Sequence, residues 1–282
     1  MKSHDASRTR LTALAMVAWV SVLGGSSQAQ TPPGPAKALD INFLPGYLPR
    51  SALPDSLALL PAPPAPGSKA YAADLAAAHE AVALRGTPRW TLAGQDADLS
   101  FPAAAGTYSC SIGVAITEAD TPATYRLLRR SLSDAGLATY TAKTHYKRTR
   151  PFVVDGAPIC TPDERKILES DGSYPSGHTS AGWAWALILT EIAPDRTGQI
   201  LARGRAFGDS RMICNVHWHS DVEGGRFVGA STVARLHADP GFLADLAQAK
   251  TEVAAARAKG SAPNRNCADE AAAMAQPLGP DQ

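Results

Sequence analysis

The sequence predicts an all-α fold: a single compact domain built from many helices. Three observations carry this. Apolar residues make up 45% of the chain and aromatics only 6%, with Ala abundant and Val and Ile sparse, a balance that favours helix over strand. Helix-opening signals recur along the chain: Thr121-Pro122, Thr161-Pro162-Asp163-Glu164, Ser220-Asp221-Val222-Glu223 and Asp239-Pro240. No pairs of alternating segments joined by hairpin turns are present, and no internal repeat.

The elements follow in order. Lys2, Arg8 and Arg10 precede an uncharged apolar run over residues 11–23, and Ser27-Gln28-Ala29 offers small residues for cleavage after Ala29. This reads as a secretory signal peptide over residues 1–29, with an uncleaved anchor as the alternative, and implies a periplasmic or secreted protein. Residues 30–68 are Pro-rich, with Pro61, Pro63, Pro64 and Pro66, and read as an extended arm that could dock through Leu53, Leu57, Leu59 and Leu60. The helical domain is expected over residues 69–259. Its first helix spans about 70–85, ending before Gly86. Thr121-Pro122 opens a helix to about Arg148 that Gly136 could interrupt. Thr161 opens a short one. Residues 178–193 are apolar nearly all round, as in a buried central helix. Residues 197–208, 220–237 and 240–259 form three more. From Gly260 to the end the chain reads as a flexible tail, tethered at most at Cys267.

Charge and cysteines narrow the function classes. The formal charge is +1; loss of residues 1–29 removes three cations and one anion and leaves −1. A near-neutral chain gives no case for nucleic-acid binding, so any positive field is local. No stretch after residue 29 is long and apolar enough to span a bilayer. Cys110, Cys160, Cys214 and Cys267 allow two disulfides in three pairings, and the absence of a CxxC pair argues against structural zinc.

Three islands concentrate cations and histidines. In Lys143-Thr-His-Tyr-Lys-Arg-Thr-Arg150-Pro151, the seven-residue spacing puts Lys143 and Arg150 on one helical face, two turns apart, with Pro151 ending the helix. A solvated basic face would account for this island alone. In Gly172-Ser-Tyr-Pro-Ser-Gly-His178-Thr179, a turn feeds the buried helix; Ser176 offers a hydroxyl, and the amides of Gly177 and His178 stand at a helix N-terminus, which favours an anion. An ordinary capped helix fits equally well. In Ser210-Arg211-x5-His217-x3-Asp221, a carboxylate spaced to hold one imidazole nitrogen would leave the other free to attack. A satisfied core histidine is the plain alternative. His217-x-His219 with Asp221 could also be read as a metal site, against which the cations Arg211 and Lys143 weigh.

Together the islands read Lys-x6-Arg-Pro, Pro-Ser-Gly-His and Ser-Arg-x5-His-x3-Asp. This resembles the signature of the superfamily that unites type 2 phosphatidic-acid phosphatases with vanadium haloperoxidases. The string Gly-Ser-Tyr-Pro-Ser-Gly-His-Thr is similar to that of class A bacterial non-specific acid phosphatases, and the likeness extends over about residues 53–250. It departs at His219 and Asn215, where a glutamine and a small residue are more usual. The resemblance implies a metal-independent hydrolase without a cofactor, acting on small phosphate monoesters such as nucleotides, sugar phosphates and aryl phosphates. It implies His217 as nucleophile forming a phosphohistidine, Asp221 as its orienting carboxylate and His178 as general acid. Lys143, Arg150, Ser176, Gly177 and Arg211 would bind the phosphate. It further implies some transfer of phosphate to alcohols, assembly into homo-oligomers, and a Cys160–Cys214 disulfide near the site. A vanadate-dependent haloperoxidase using the same anion site is the alternative; the superfamily's membrane lipid phosphatases are disfavoured by the lack of spanning helices.

Overall fold

Residues 177–192 carry almost no charge, and only burial on all sides can accommodate such a helix. In the computed structural model, which describes residues 44–276 and 278, this helix is the axis of the domain. The predicted signal peptide, residues 30–43 of the arm, and residues 277 and 279–282 of the tail lie outside the described residues. Among the described residues there are helices and turns but no strand, and no helix long and apolar enough to cross a membrane.

The principal helices are α1 (Lys69–Val82), α2 (Pro88–Gln95), α3 (Pro122–Leu137), α4 (Tyr140–Tyr146), α5 (Gly177–Ile192), α6 (Thr197–Ile213), α7 (His219–Leu236), α8 (Pro240–Ala258) and α9 (Cys267–Met274). Local chemistry starts several of them. Ser68, Thr87, Ser176 and Asp239 each accept a first-turn amide through the side chain, with proline at the first helical position of α2 and α8. The central α5 packs against α3, α6, α7 and α8. Trp185, Ile188 and Leu189 are fully buried against Leu127, Leu128, Phe207, Leu236 and Phe242. Burial of each such side chain contributes roughly 1.5–3 kcal/mol. The polar atoms drawn into this core are paired: the Trp185 indole donates to the Leu128 carbonyl at 2.9 Å, and Tyr108 Oη donates to the Gly182 carbonyl at 2.6 Å.

Two glycines bring α7 onto the start of α5. A Cβ on Gly225 would lie 2.6 Å from the Ser176 carbonyl oxygen, and one on Gly229 2.5 Å from that of Ser180. Both neighbours are backbone, so neither can rotate away. Gly225→Ala is therefore expected to push the two helices apart, cost about 1–3 kcal/mol and lower activity by displacing Ser176. Gly198→Ala, whose methyl would meet nothing within 4 Å, is the control. Equal melting temperatures and kcat/KM for the two variants would contradict this reading.

Four segments differ from the sequence expectation. The helix expected from Thr121 to about Arg148 is two helices, broken at Ala138–Thr139, where the Thr139 hydroxyl donates to the Gly136 carbonyl at 2.7 Å. The helix expected over 197–208 continues to Ile213 and carries Arg211 in its last turn. Helix α7 begins at His219 rather than at Ser220, with Asp221 reaching back to accept the Trp218 amide at 2.8 Å. The segment expected to be a loose tail contains α9, bonded through Cys267 to Cys110 and packed on α2. Its anchor is a buried trio of charges: Arg203 bridges Asp96 and, at 3.4 Å, Glu270 of α9. The arm docks through Leu60, buried against Tyr174 and Val228, while Leu57 and Leu59 remain exposed. Upstream, Asp134 of α3 accepts the amides of Tyr47 and Leu48 at 2.8 and 3.0 Å.

Candidate active site

Helix α6 ends so as to set one arginine beside one histidine. After Cys214 the chain turns sharply at Asn215, whose φ of 60° is left-handed and tolerated by asparagine. The amides of Val216 and His217 then both fold back onto the Arg211 carbonyl, at 3.1 and 3.3 Å. A Cys160–Cys214 disulfide, with the two Cα atoms 4.8 Å apart, pins the same turn. Asn215 turns its amide to Asp155, at 3.1 and 3.0 Å from the two carboxylate oxygens.

His217 is 3% exposed, and its two nitrogens have distinct partners. Nε2 accepts from Arg150 Nη1 at 3.1 Å. A guanidinium can only donate, so Nε2 holds the lone pair and Nδ1 holds the hydrogen. Nδ1 donates to Asp221 Oδ2 over a long 3.4 Å. This is the tautomer an attacking Nε2 requires. His178, on the second residue of α5, donates from Nε2 to the Ala97 carbonyl at 2.9 Å, so a transferable proton on this ring belongs on Nδ1.

Ser176 is fully buried and caps α5. Its hydroxyl oxygen accepts from the Thr179 amide at 3.2 Å and the Thr179 hydroxyl at 2.9 Å. With both lone pairs used, its own hydrogen can still be donated. The Ser176 amide donates to the Asp221 carbonyl at 2.9 Å, joining the starts of α5 and α7. Gly177 follows as the first residue of α5, where the helix leaves its leading amides without intrahelical partners.

Lys143 and Arg150 do not share a helical face, contrary to the sequence expectation. α4 stops at Tyr146, Lys147 takes a left-handed φ of 45°, and Arg150 caps a new short helix, Pro151–Asp155. The two cations meet through the fold instead. Lys143 Nζ donates to the Gly172 carbonyl at 2.6 Å and lies 3.4 Å from Asp171 Oδ2; Arg150 Nη2 lies 3.1 Å from that same oxygen. Arg150 also donates to the carbonyls of Leu168 and Val216, so its fork is held rigidly.

Arg211 is the opposite case. Its guanidinium is fully buried, and none of its three nitrogens has a hydrogen-bond partner. Leaving a buried charged donor unpaired costs several kcal/mol or more, so such a group marks a place made for an anion. The electrostatics agree. Burial and the mutual repulsion of cations lower Lys143 to about 8 and Arg211 to about 10. Burial, then Arg150, Lys143 and Arg211, holds His217 well below the usual imidazole range; burial, then Arg211, does the same for His178. Three buried cations and two imidazoles thus converge from four chain segments, a field suited to a multiply charged oxyanion.

His219 stands apart, half-buried and 3.9 Å from Glu223. No three His, Cys, Asp or Glu side chains gather as a metal site among the described residues. Three groups in the site went unnoticed in the sequence: Asp171, which pairs with both Lys143 and Arg150, and the Arg148–Asp74 pair behind Asp221. Arg148 sits inside the first island, but no periodicity distinguishes it there.

Residues 130–242 match the family model of the PAP2 superfamily, a span that holds all eight expected site residues. The chain is 46% identical over 209 residues to a non-specific acid phosphatase of Providencia stuartii, covering 74% of this chain and 84% of the relative. It is 43% identical over 195 residues to a non-specific acid phosphatase of Salmonella typhimurium (69% and 78%) and 40% identical over 210 residues to an acid phosphatase of Zymomonas mobilis (74% and 80%). The chain belongs to the PAP2-superfamily non-specific acid phosphatases. As a member of the acid phosphatase family it has an all-α fold, as its sequence predicts. Within this acid phosphatase fold, Arg211 is buried without a hydrogen-bond partner and His217 Nε2 accepts from Arg150.

Proposed function

We propose that this protein is an exported acid phosphatase that hydrolyses phosphate monoesters through a phosphohistidine on His217. The buried guanidinium of Arg211, with all three nitrogens free to donate beside two imidazoles, carries the reading. A monoester brings about two negative charges and three non-bridging oxygens. Arg211 would take these oxygens first, with Lys143, Arg150, the Ser176 hydroxyl and the Gly177 amide completing the cradle. Once a phosphate oxygen takes over Arg150 Nη1, His217 Nε2 has its lone pair free. Nε2 then attacks phosphorus in line, the P–O ester bond breaks, and the proton on His178 Nδ1 passes to the leaving oxygen. In the second half, water gives a proton back to His178 and its oxygen to phosphorus, the P–N bond breaks, and inorganic phosphate leaves. An alcohol in place of water would give phosphotransfer. Every cradle group addresses the phosphoryl end, which supports broad acceptance of nucleotides, sugar phosphates and aryl phosphates. The N-terminal signal pattern and the two disulfides support a periplasmic or secreted location.

The site's electrostatics lead to an acid optimum. With its pKa pushed down, His217 stays neutral and nucleophilic at acidic pH, where an ordinary imidazole would be protonated. His178 must instead carry a proton, which burial and then Arg211 disfavour in the free site and the substrate's negative charge restores. Turnover should therefore peak below neutrality. KM should rise above pH about 8, where Lys143 loses its charge. Phosphate release from p-nitrophenyl phosphate, alkyl phosphates and nucleoside monophosphates, followed from about pH 4 to about pH 9 with and without chelator, tests this. No release from any substrate, or a flat profile to about pH 9, would refute it.

A further inference from the structure

Asp221 is fully buried at the start of α7, and its partners reach past the active site into α1. Arg148 Nη1 donates to Asp221 Oδ1 at 2.6 Å, while Arg148 Nη2 donates to Asp74 Oδ2 at 2.7 Å. Asp74, on α1 and 2% exposed, also accepts from the Ser220 amide at 2.8 Å and the Ser220 hydroxyl at 2.6 Å. The guanidinium lies over the Trp218 ring, 5.4 Å from its centroid. One arginine thus bridges two buried carboxylates, one of which holds His217 Nδ1.

We propose that Arg148 and Asp74 are positioning residues for the catalytic pair: Asp74 holds the Arg148 guanidinium, and Arg148 holds Asp221 at His217 Nδ1. This rests on the assignment of His217 as nucleophile. The geometry requires such a support. The hydrogen bond from His217 Nδ1 to Asp221 is long, and Asp221 Oδ2 is shared with the Trp218 amide, so the aim of the carboxylate depends also on Arg148, which grips Oδ1 at 2.6 Å. Charge points the same way. When Nε2 bonds to phosphorus the ring becomes cationic, and an Asp221 that is both charged and correctly aimed stabilises it. Asp74 serves a second purpose. Without it, Arg148 would be one more cation next to a histidine already crowded by Arg150, Lys143 and Arg211. Between its two carboxylates, Arg148 leaves the group behind His217 with a net single negative charge.

The groups that face Asp221 are Arg148, the Trp218 amide, the Ser173 side chain and His217, with Lys143, Arg150 and Tyr174 farther off and Asp74 beyond Arg148. Burial raises the pKa of Asp221, and Arg148 is the foremost influence opposing that rise. Removing Arg148 therefore lets Asp221 take up a proton at higher pH than in the wild type.

The test uses the full chain with p-nitrophenyl phosphate. Arg148→Met alone would leave Asp74 buried without its cation, so the double variant Arg148→Met/Asp74→Asn is measured beside it. Both are expected to lose about 10- to 100-fold in kcat with KM changed less than about threefold, as for other supports of a reacting histidine. The acidic limb of the kcat profile should move to higher pH while the basic limb stays. Asp74→Asn alone should fall short of this loss, and adding it to Arg148→Met should cost little more, because Asp74 acts through Arg148. A folded double variant with wild-type kcat and an unmoved acidic limb would overturn the proposal and leave the pair a staple between α1 and α7. A uniform loss at every pH, matching a fall in melting temperature, would overturn it equally. His217→Ala in the same series separates the two readings: if that variant keeps wild-type turnover, the nucleophile assignment falls and this proposal with it. If His217→Ala is inactive and only the Arg148 series behaves as wild type, the positioning role alone is wrong.

Discussion

His217→Ala is expected to reduce kcat for phosphate monoesters by on the order of 10⁴-fold or more, the largest effect of any single substitution in this chain. Its imidazole is held neutral among the buried cations, and its Nε2 already faces Arg150. A methyl group leaves the cradle of Lys143, Arg150 and Arg211 standing but gives phosphorus nothing to bond to. Phosphate should still bind, so inorganic phosphate should still raise the melting temperature of the variant. A rapid quench at high pH, where phosphohistidine survives, should show label retained on the wild-type chain during turnover and none on the variant. Wild-type turnover in the variant, or label on it at another residue, would refute the assignment.

Arg211→Met is expected to separate activity from stability. In the wild-type chain the Arg211 guanidinium is fully buried with no hydrogen-bond partner, and that burial, with Arg150 nearby, pushes its pKa down to about 10. The fold thus carries a group it would be more stable without. Methionine fills a similar volume with no charge, so the melting temperature should rise, by roughly 1–3 kcal/mol of stability. Over the same change, kcat/KM should fall on the order of 10²–10³-fold, as for loss of one oxyanion donor. Inorganic phosphate should stabilise the wild type strongly and the variant little, since the ligand supplies the partners Arg211 lacks. Arg150→Met is the informative contrast. Its donors are spread over the Leu168, Val216, Asp171 and Gly172 groups, and removing it strands those acceptors, so that variant should lose stability. A less stable Arg211→Met, with activity lost only in proportion to the unfolded fraction, would show that Arg211 is structural.

The two arginines show the boundary between what local sequence reveals and what the fold adds. Both stand in recognisable islands, and both are cations near histidines. Nothing in the islands tells that Arg150 is saturated by backbone carbonyls and Asp171 while Arg211 has no partner. The same holds for Lys143 and Arg150. Their spacing of seven suggested one helix face, but Lys147 leaves the helix in a left-handed turn, and the two charges meet only because Asp171 and Gly172 return from elsewhere in the chain.

By itself the sequence determined the helical class, the buried run it places at residues 178–193, the proline-marked start of α8, and the residue types of the three islands. These are local properties: a helix period, a cap or a motif acts over a few residues and is written in consecutive positions. Tertiary structure alone decided that α9 is a helix tied to Cys110, that Arg148 links Asp74 to Asp221, and that Arg211 is left without a partner in the core. Each of these joins, or fails to join, residues scores of positions apart. Such pairings are chosen by packing and by the need to satisfy buried charge, neither of which leaves a periodic trace in the chain.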